Sequence, residues 1–130
     1  MLLKQKHHPT DTEMDNNLKI AGFMSLPVKY GTMVSVVDLG DKEPGWMHME
    51  FHNDFEWLMM VVEKIEQTKM LNGDWFQVSI GTFKTSIWRK SMTDIPYLEN
   101  EIASQYGSKI QFTYLAVIAF IDWYNLNKSK

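Results

Sequence analysis

The stretch that most constrains the fold lies near the end of the chain. Tyr114 to Ile121 is eight residues without a charged or strongly polar side chain. Ile110, Tyr114, Val117, Phe120, Ile121 and Tyr124 recur at helical spacing, so the sequence predicts a helix from about Lys109 to Asn125, opened by Gly107 or Ser108. A half-exposed helix needs only one apolar stripe. Here Phe112, Leu115, Ile118 and Ala119 add a second beside the first. Either the domain covers this helix on both sides, or the outer stripe meets another chain, a second copy or a foreign protein. Ten methionines point the same way, since flexible thioethers suit adaptable contact surfaces.

A second helix is predicted from Asn53, with Asn53 as the cap, Glu56 reaching back, and Asp54 and Glu56 at the positive end of the dipole. Trp57, Leu58, Val61, Val62 and Ile65 give it one core-facing stripe, and Asn72-Gly73 ends the region as a turn. Trp75 to Ile80 alternates as a strand, and Thr82 to Lys90 pairs back on it antiparallel, with Phe83, Thr85 and Ile87 on one face. A short helix from Leu18 to Ser25, capped by Asn16 or Asn17, stops before Pro27. One or two strands follow over 28–37, and another over Trp46 to Phe51. A short strand or helical turn is expected near Glu99 to Ala103. Residues 1–15, polar and with Pro9, read as a flexible arm. That leaves 16–130 as a single α+β domain, with two main helices and the short first one packed on an antiparallel sheet.

Composition narrows the function classes. A chain of 130 residues with 45% hydrophobic and 22% charged side chains is globular rather than disordered. Without cysteine it has no disulfide, thiolate metal site or cysteine nucleophile. No apolar run reaches the roughly 18–20 residues of a membrane span, and the first residues lack a signal-peptide core. The expected location is the cytoplasm, with no membrane partner.

Three stretches carry a family likeness. They are Asn17-Leu-Lys-Ile-Ala-Gly-Phe-Met, Phe51-His-Asn-Asp-Phe-Glu-Trp-Leu-Met-Met-Val-Val-Glu-Lys-Ile-Glu and Thr113-Tyr-Leu-Ala-Val-Ile-Ala-Phe-Ile-Asp-Trp-Tyr-Asn. Together they resemble the phage ABA sandwich domain, a family of small phage and prophage proteins. Met60 stands where that family commonly has proline, and residues 28–50 and 67–108 match poorly. The resemblance implies an α-β-α layered sandwich and a phage origin, and it implies no activity.

Candidate chemistry is sparse. His48, Glu50, His52 and Asp54 alternate, and on a strand they would share a face able to ligate a divalent ion; the alternative is a polar edge-strand face. No nucleophile elbow or phosphate-binding loop is present. No cofactor and no enzymatic activity are expected. Lys84, Ser86, Trp88 and Lys90 alternate on a strand, with Arg89 beside them, which suits base stacking with phosphate contacts. Residues 38–66 hold eight acidic and two basic side chains, a net of −6 in a chain of net −3. Asp54, Glu56, Glu63 and Glu66 there could steer the protein toward a basic partner. The sequence therefore reads as a phage-type accessory protein that works by binding another protein. Phe112, Leu115, Ile118, Ala119 and Trp123 are its candidate anchors. The sharpest form of this reading is inhibition of a bacterial defence effector such as a CRISPR nuclease complex. The rivals are a nucleic-acid module using Lys84, Trp88, Arg89 and Lys90, and a metal-dependent enzyme using His48, Glu50 and His52.

Overall fold

A computed structural model describes residues 10–29, 36–38, 46–91, 101–104 and 107–129. The fold is α+β, as the patterning predicts. In order the elements are α1 (Asp11–Phe23), β1 (Val28–Lys29), β2 (Val36–Asp38), β3 (Trp46–His48), α2 (Phe55–Gln67), β4 (Trp75–Ile80), β5 (Thr85–Lys90), β6 (Glu101–Ser104) and α3 (Lys109–Asn127). Among the described residues the strands form two three-stranded antiparallel sheets rather than one, β1-β2-β3 and β4-β5-β6. The chain divides accordingly into two compact units, residues 1–50 and 51–130.

In the first unit, α1 starts seven residues before the predicted Leu18, and takes in residues 11–15 that the patterning assigns to the arm. The cause is a capping box. The Thr10 hydroxyl accepts from the Glu13 amide at 3.1 Å, and the Glu13 carboxylate accepts from the Thr10 amide at 2.9 Å. Asp11 and Glu13 also sit at the positive end of the helix dipole. Asn17 lies buried inside the helix with Ile20 and Ala21, rather than capping it. The helix ends with Ser25 in the left-handed region at φ 57°. There the Ser25 amide donates to the Gly22 carbonyl and the Leu26 amide to the Ala21 carbonyl. Pro27 follows immediately. β2 pairs with β1 through Val28↔Val37 and with β3 through Val37↔Met47.

The second unit carries α2, which at 13 residues only equals α1 in length, and the 19-residue α3. α2 is capped by Asp54, one residue later than predicted, whose carboxylate accepts from the amides of Glu56 (2.9 Å) and Trp57 (3.3 Å). Its predicted stripe is buried, Trp57, Leu58, Val61, Val62 and Ile65. Phe51 is fully buried and meets Trp57 edge to face with ring centroids 5.0 Å apart. β4 and β5 form the hairpin over Trp75–Ile80 and Thr85–Lys90, in the register Phe76↔Arg89, Val78↔Ile87 and Ile80↔Thr85. β5 is central and pairs with β6 through Ser86↔Ala103. The chain turns through residues 81–84, where the Gly81 amide donates to the Lys84 carbonyl. Phe83 stands in that turn, 82% exposed, rather than on the strand face with Thr85 and Ile87.

Residues facing each other across an antiparallel pair share a face. Phe76, Val78, Ile80, Thr85, Ile87 and Arg89 therefore line one side of the hairpin. α3 packs there. Phe76 meets Phe120 edge to face at 4.8 Å and Trp123 at 5.8 Å, and the Thr85 and Thr113 hydroxyls, both fully buried, are 2.7 Å apart. Thr113 lies beside the start of β5 and Trp123 beside its end, so α3 runs in the same direction as β5. The helix opens with a second capping box, between Ser108 and Gln111. Gly107 precedes it at φ 80°, and a Cβ there would lie 2.3 Å from the Gln111 side-chain oxygen, so any other residue would strain the backbone and displace that side chain.

Candidate partner-binding surface

At 100° per residue, α3 is buried over roughly two-thirds of its circumference. Phe112, Thr113, Tyr114, Ala116, Val117, Ile118, Phe120 and Ile121 are all buried. The domain itself thus covers the helix on both flanks. Phe112, 2% exposed, and Ile118, 7% exposed, are core residues. This corrects the reading of them as partner anchors: a side chain already out of water has no area left to contribute to a partner. Trp123 is committed as well, with its ring packed against Phe76 and Phe120. The remaining open line of α3 is Gln111, Leu115, Ala119, Asp122 and Leu126, spaced one helical turn apart on the side turned away from Thr113. It is about 16 Å long from Leu115 to Leu126 at the helical rise. Leu115 is 42% exposed and Ala119 is exposed.

The nominated acidic residues also divide. Asp54 is the α2 cap. The Glu66 carboxylate accepts from the backbone amide of Val78 at 3.1 Å, on the edge of β4 that β5 leaves free. Glu56 and Glu63 are exposed and fall on one line of α2 with half-buried Met60 between them. Met59 is half-buried too. His52, just before α2, lies edge-on to Tyr114 with centroids 6.3 Å apart, which brings the head of α2 beside the first half of α3. Exposed to solvent are therefore Leu115 and Ala119 on α3 and Glu56 and Glu63 on α2, with Met60 half-buried between the two glutamates.

The metal candidates do not assemble. β3 ends at His48, Met49 is buried, and residues 51–53 form a turn, so His48, Glu50 and His52 do not share a strand face. Among the described residues no three His, Asp or Glu side chains are placed to hold an ion. The alternation needed the strand to run on to Phe51, and the turn that delivers Asp54 to the α2 cap stops it short.

The basic strand separates in the same way. Lys84 belongs to the turn, whereas Trp88 and Lys90 lie on the β5 face opposite α3, with Trp75, Gln77 and Ser79 of β4. Arg89 is on the other face. Its Nε donates to Asp74 Oδ2 at 2.8 Å, and its guanidinium lies 5.6 Å from the Trp123 ring centroid. Asp74 is buried and is held by Asn72, whose side-chain oxygen accepts from the Asp74 amide at 2.9 Å. Sequence reasoning missed this Asp74–Arg89–Trp123 cluster, although the period-2 alternation puts Arg89 in phase with Thr85 and Ile87 and was the available signal.

No helix among the described residues is long and apolar enough to cross a membrane. No family model, curated protein or solved structure matches the chain.

Proposed function

We propose that this protein works by binding another protein, and that the partner sits on the outer line of α3 around Leu115 and Ala119 beside Glu56, Met60 and Glu63 of α2. The observation that carries this reading is the rigidity of the platform. α3 is packed on every side but one, so the backbone that presents Leu115 and Ala119 has little conformational entropy left to lose on binding. Met60 supplies an adaptable apolar contact, and the flanking glutamates favour a basic partner surface. The likeness to the phage ABA sandwich domain supports a phage-type accessory role, and blockade of a bacterial defence effector such as a CRISPR nuclease complex is the form we favour.

The test is capture from bacterial lysate, with and without nuclease, comparing the wild type with a Leu115→Glu/Ala119→Glu double variant. Both sites are exposed, so the variant is expected to keep the circular-dichroism spectrum and melting temperature of the wild type, and both are measured before capture. The expected result is a protein partner that survives nuclease and is lost with the variant. A partner retained equally by the variant would refute the surface.

A second reading has one observation of its own. The face of β4 and β5 opposite α3 brings Trp75 and Trp88 onto one surface with Lys90, and Gln77, Ser79 and Ala103 beside them are exposed. Two indoles and a cation suit single-stranded nucleic acid. Gel shifts across a salt series separate the readings: binding at low salt that Trp88→Ala abolishes would favour this face.

A further inference from the structure

The Asp74–Arg89–Trp123 cluster does more than fill space. Asp74, nine-tenths or more buried and pinned by Asn72, takes only the Nε of Arg89, and the guanidinium carbon lies over the Trp123 ring at 5.6 Å from its centroid. Neither Nη is hydrogen-bonded among the described residues, and no buried side-chain nitrogen or oxygen there lacks a partner, so both Nη groups reach solvent. The Arg89 side chain is 20% exposed. This leaves the paired donor edge of a guanidinium fixed in orientation and open to water. That edge matches a planar carboxylate, which it can bind through two parallel hydrogen bonds.

The surroundings fit an acidic, apolar peptide. Leu71 stands in the Met70–Asp74 turn that carries Asp74, and is 76% exposed. Leu126, three residues beyond Trp123 on α3, is 75% exposed. Among the described residues these are two of the four large apolar side chains left in water, and both flank the cluster in sequence. Lys69 and Lys128, also exposed, lie two residues from Leu71 and Leu126 in sequence, and Asp122, which has an interaction of its own, lies one residue before Trp123. We infer that Arg89 is a carboxylate-binding residue. Its ligand is a peptide segment bearing Glu or Asp between apolar side chains, with Leu71 and Leu126 contacting those neighbours. This site does not depend on the Leu115 surface, because it uses the opposite end of α3 and a different partner chemistry.

The test uses the full ¹⁵N-labelled chain and two blocked peptides, acetyl-Leu-Glu-Leu-amide and acetyl-Leu-Gln-Leu-amide. The Arg89 Nε–H and Trp123 indole resonances are followed during titration. The expected result is a saturable shift with the Glu peptide and at least tenfold weaker binding of the Gln peptide. Arg89→Lys keeps the charge but loses the fork, and should lose saturation. Leu126→Ser, at an exposed site that leaves the fold intact, should weaken binding about threefold. Equal response to both peptides, retention in Arg89→Lys, no effect of Leu126→Ser, or displacement of the Glu peptide by equimolar inorganic phosphate would each overturn the inference.

Discussion

The buried Thr85–Thr113 pair gives the most discriminating test of how α3 is held on the sheet. The two hydroxyls are 2.7 Å apart and neither reaches water. Replacing one threonine by valine keeps the volume but leaves the other hydroxyl buried without its partner. That costs about 1–3 kcal/mol, whereas removing both hydroxyls together is nearly neutral. The two single variants should not be equal. Thr113 lies on a helix, where an orphaned hydroxyl can turn back to the carbonyl four residues earlier. Thr85 lies on a strand and has no such recourse. Thr113→Val is therefore expected to cost about 2 kcal/mol and Thr85→Val about 1 kcal/mol, with the double variant within about 0.5 kcal/mol of the wild type. The coupling energy from the cycle is then about 2.5–3.5 kcal/mol. Urea titrations followed by tryptophan fluorescence would measure it, with equal slopes confirming that only stability has changed. If the double variant loses the sum of the two singles, the hydroxyls do not satisfy each other, and the packing of α3 on β5 described above is wrong.

Other outcomes follow from single residues. Ser25→Gly should stabilise α1 by about 0.5–1 kcal/mol, since a left-handed conformation costs an L-residue about 1–2 kcal/mol and glycine gives part of that back as chain entropy; a lower melting temperature would contradict it. Gly107→Ala should destabilise by about 1–2 kcal/mol, because it strains a positive φ and pushes the Gln111 side chain out of its capping box. Leu115→Glu should change stability by less than about 0.5 kcal/mol, while Ile118→Glu, which puts a charge in the core, should leave the chain largely unfolded by circular dichroism. Glu66→Gln should speed hydrogen exchange at the Val78 amide several-fold, measured by NMR, with a stability loss under about 1 kcal/mol.

Much of this architecture was legible because its signals are local and periodic. The Trp57–Ile65 stripe, the alternation of Trp75–Ile80 and the apolar face of α3 all lie where spacing puts them. The start of α1 was missed because that helix buries only Asn17, Ile20 and Ala21, too few for a periodic signal, although Thr10-Asp-Thr-Glu spelled the capping box that begins it. The candidate surface was harder to read. That Phe112 and Ile118 are core while Leu115 is not depends on what packs against each flank of α3, and one helix's periodicity cannot report its neighbours. Arg89 reads from the sequence as one residue of a nucleic-acid face with Lys84, Trp88 and Lys90, but its side chain is held by Asp74, fifteen residues away on the preceding turn. The division into two sheets left no mark in the strand patterns, because short strands look alike whichever sheet they join.

The Glu66 contact with Val78 has a consequence for how copies of this protein behave when crowded. The backbone groups of residues 76, 78 and 80 point away from β5, along the rim where a passing extended chain could add itself and extend the sheet. The carboxylate occupies the middle of that row, so a newcomer would have to dislodge a negative charge before forming its first bonds. Charge on α2 thus protects the hairpin against templated polymerisation, and loss of that one side chain would be felt first as aggregation at high concentration, while the isolated fold remained almost as stable as before.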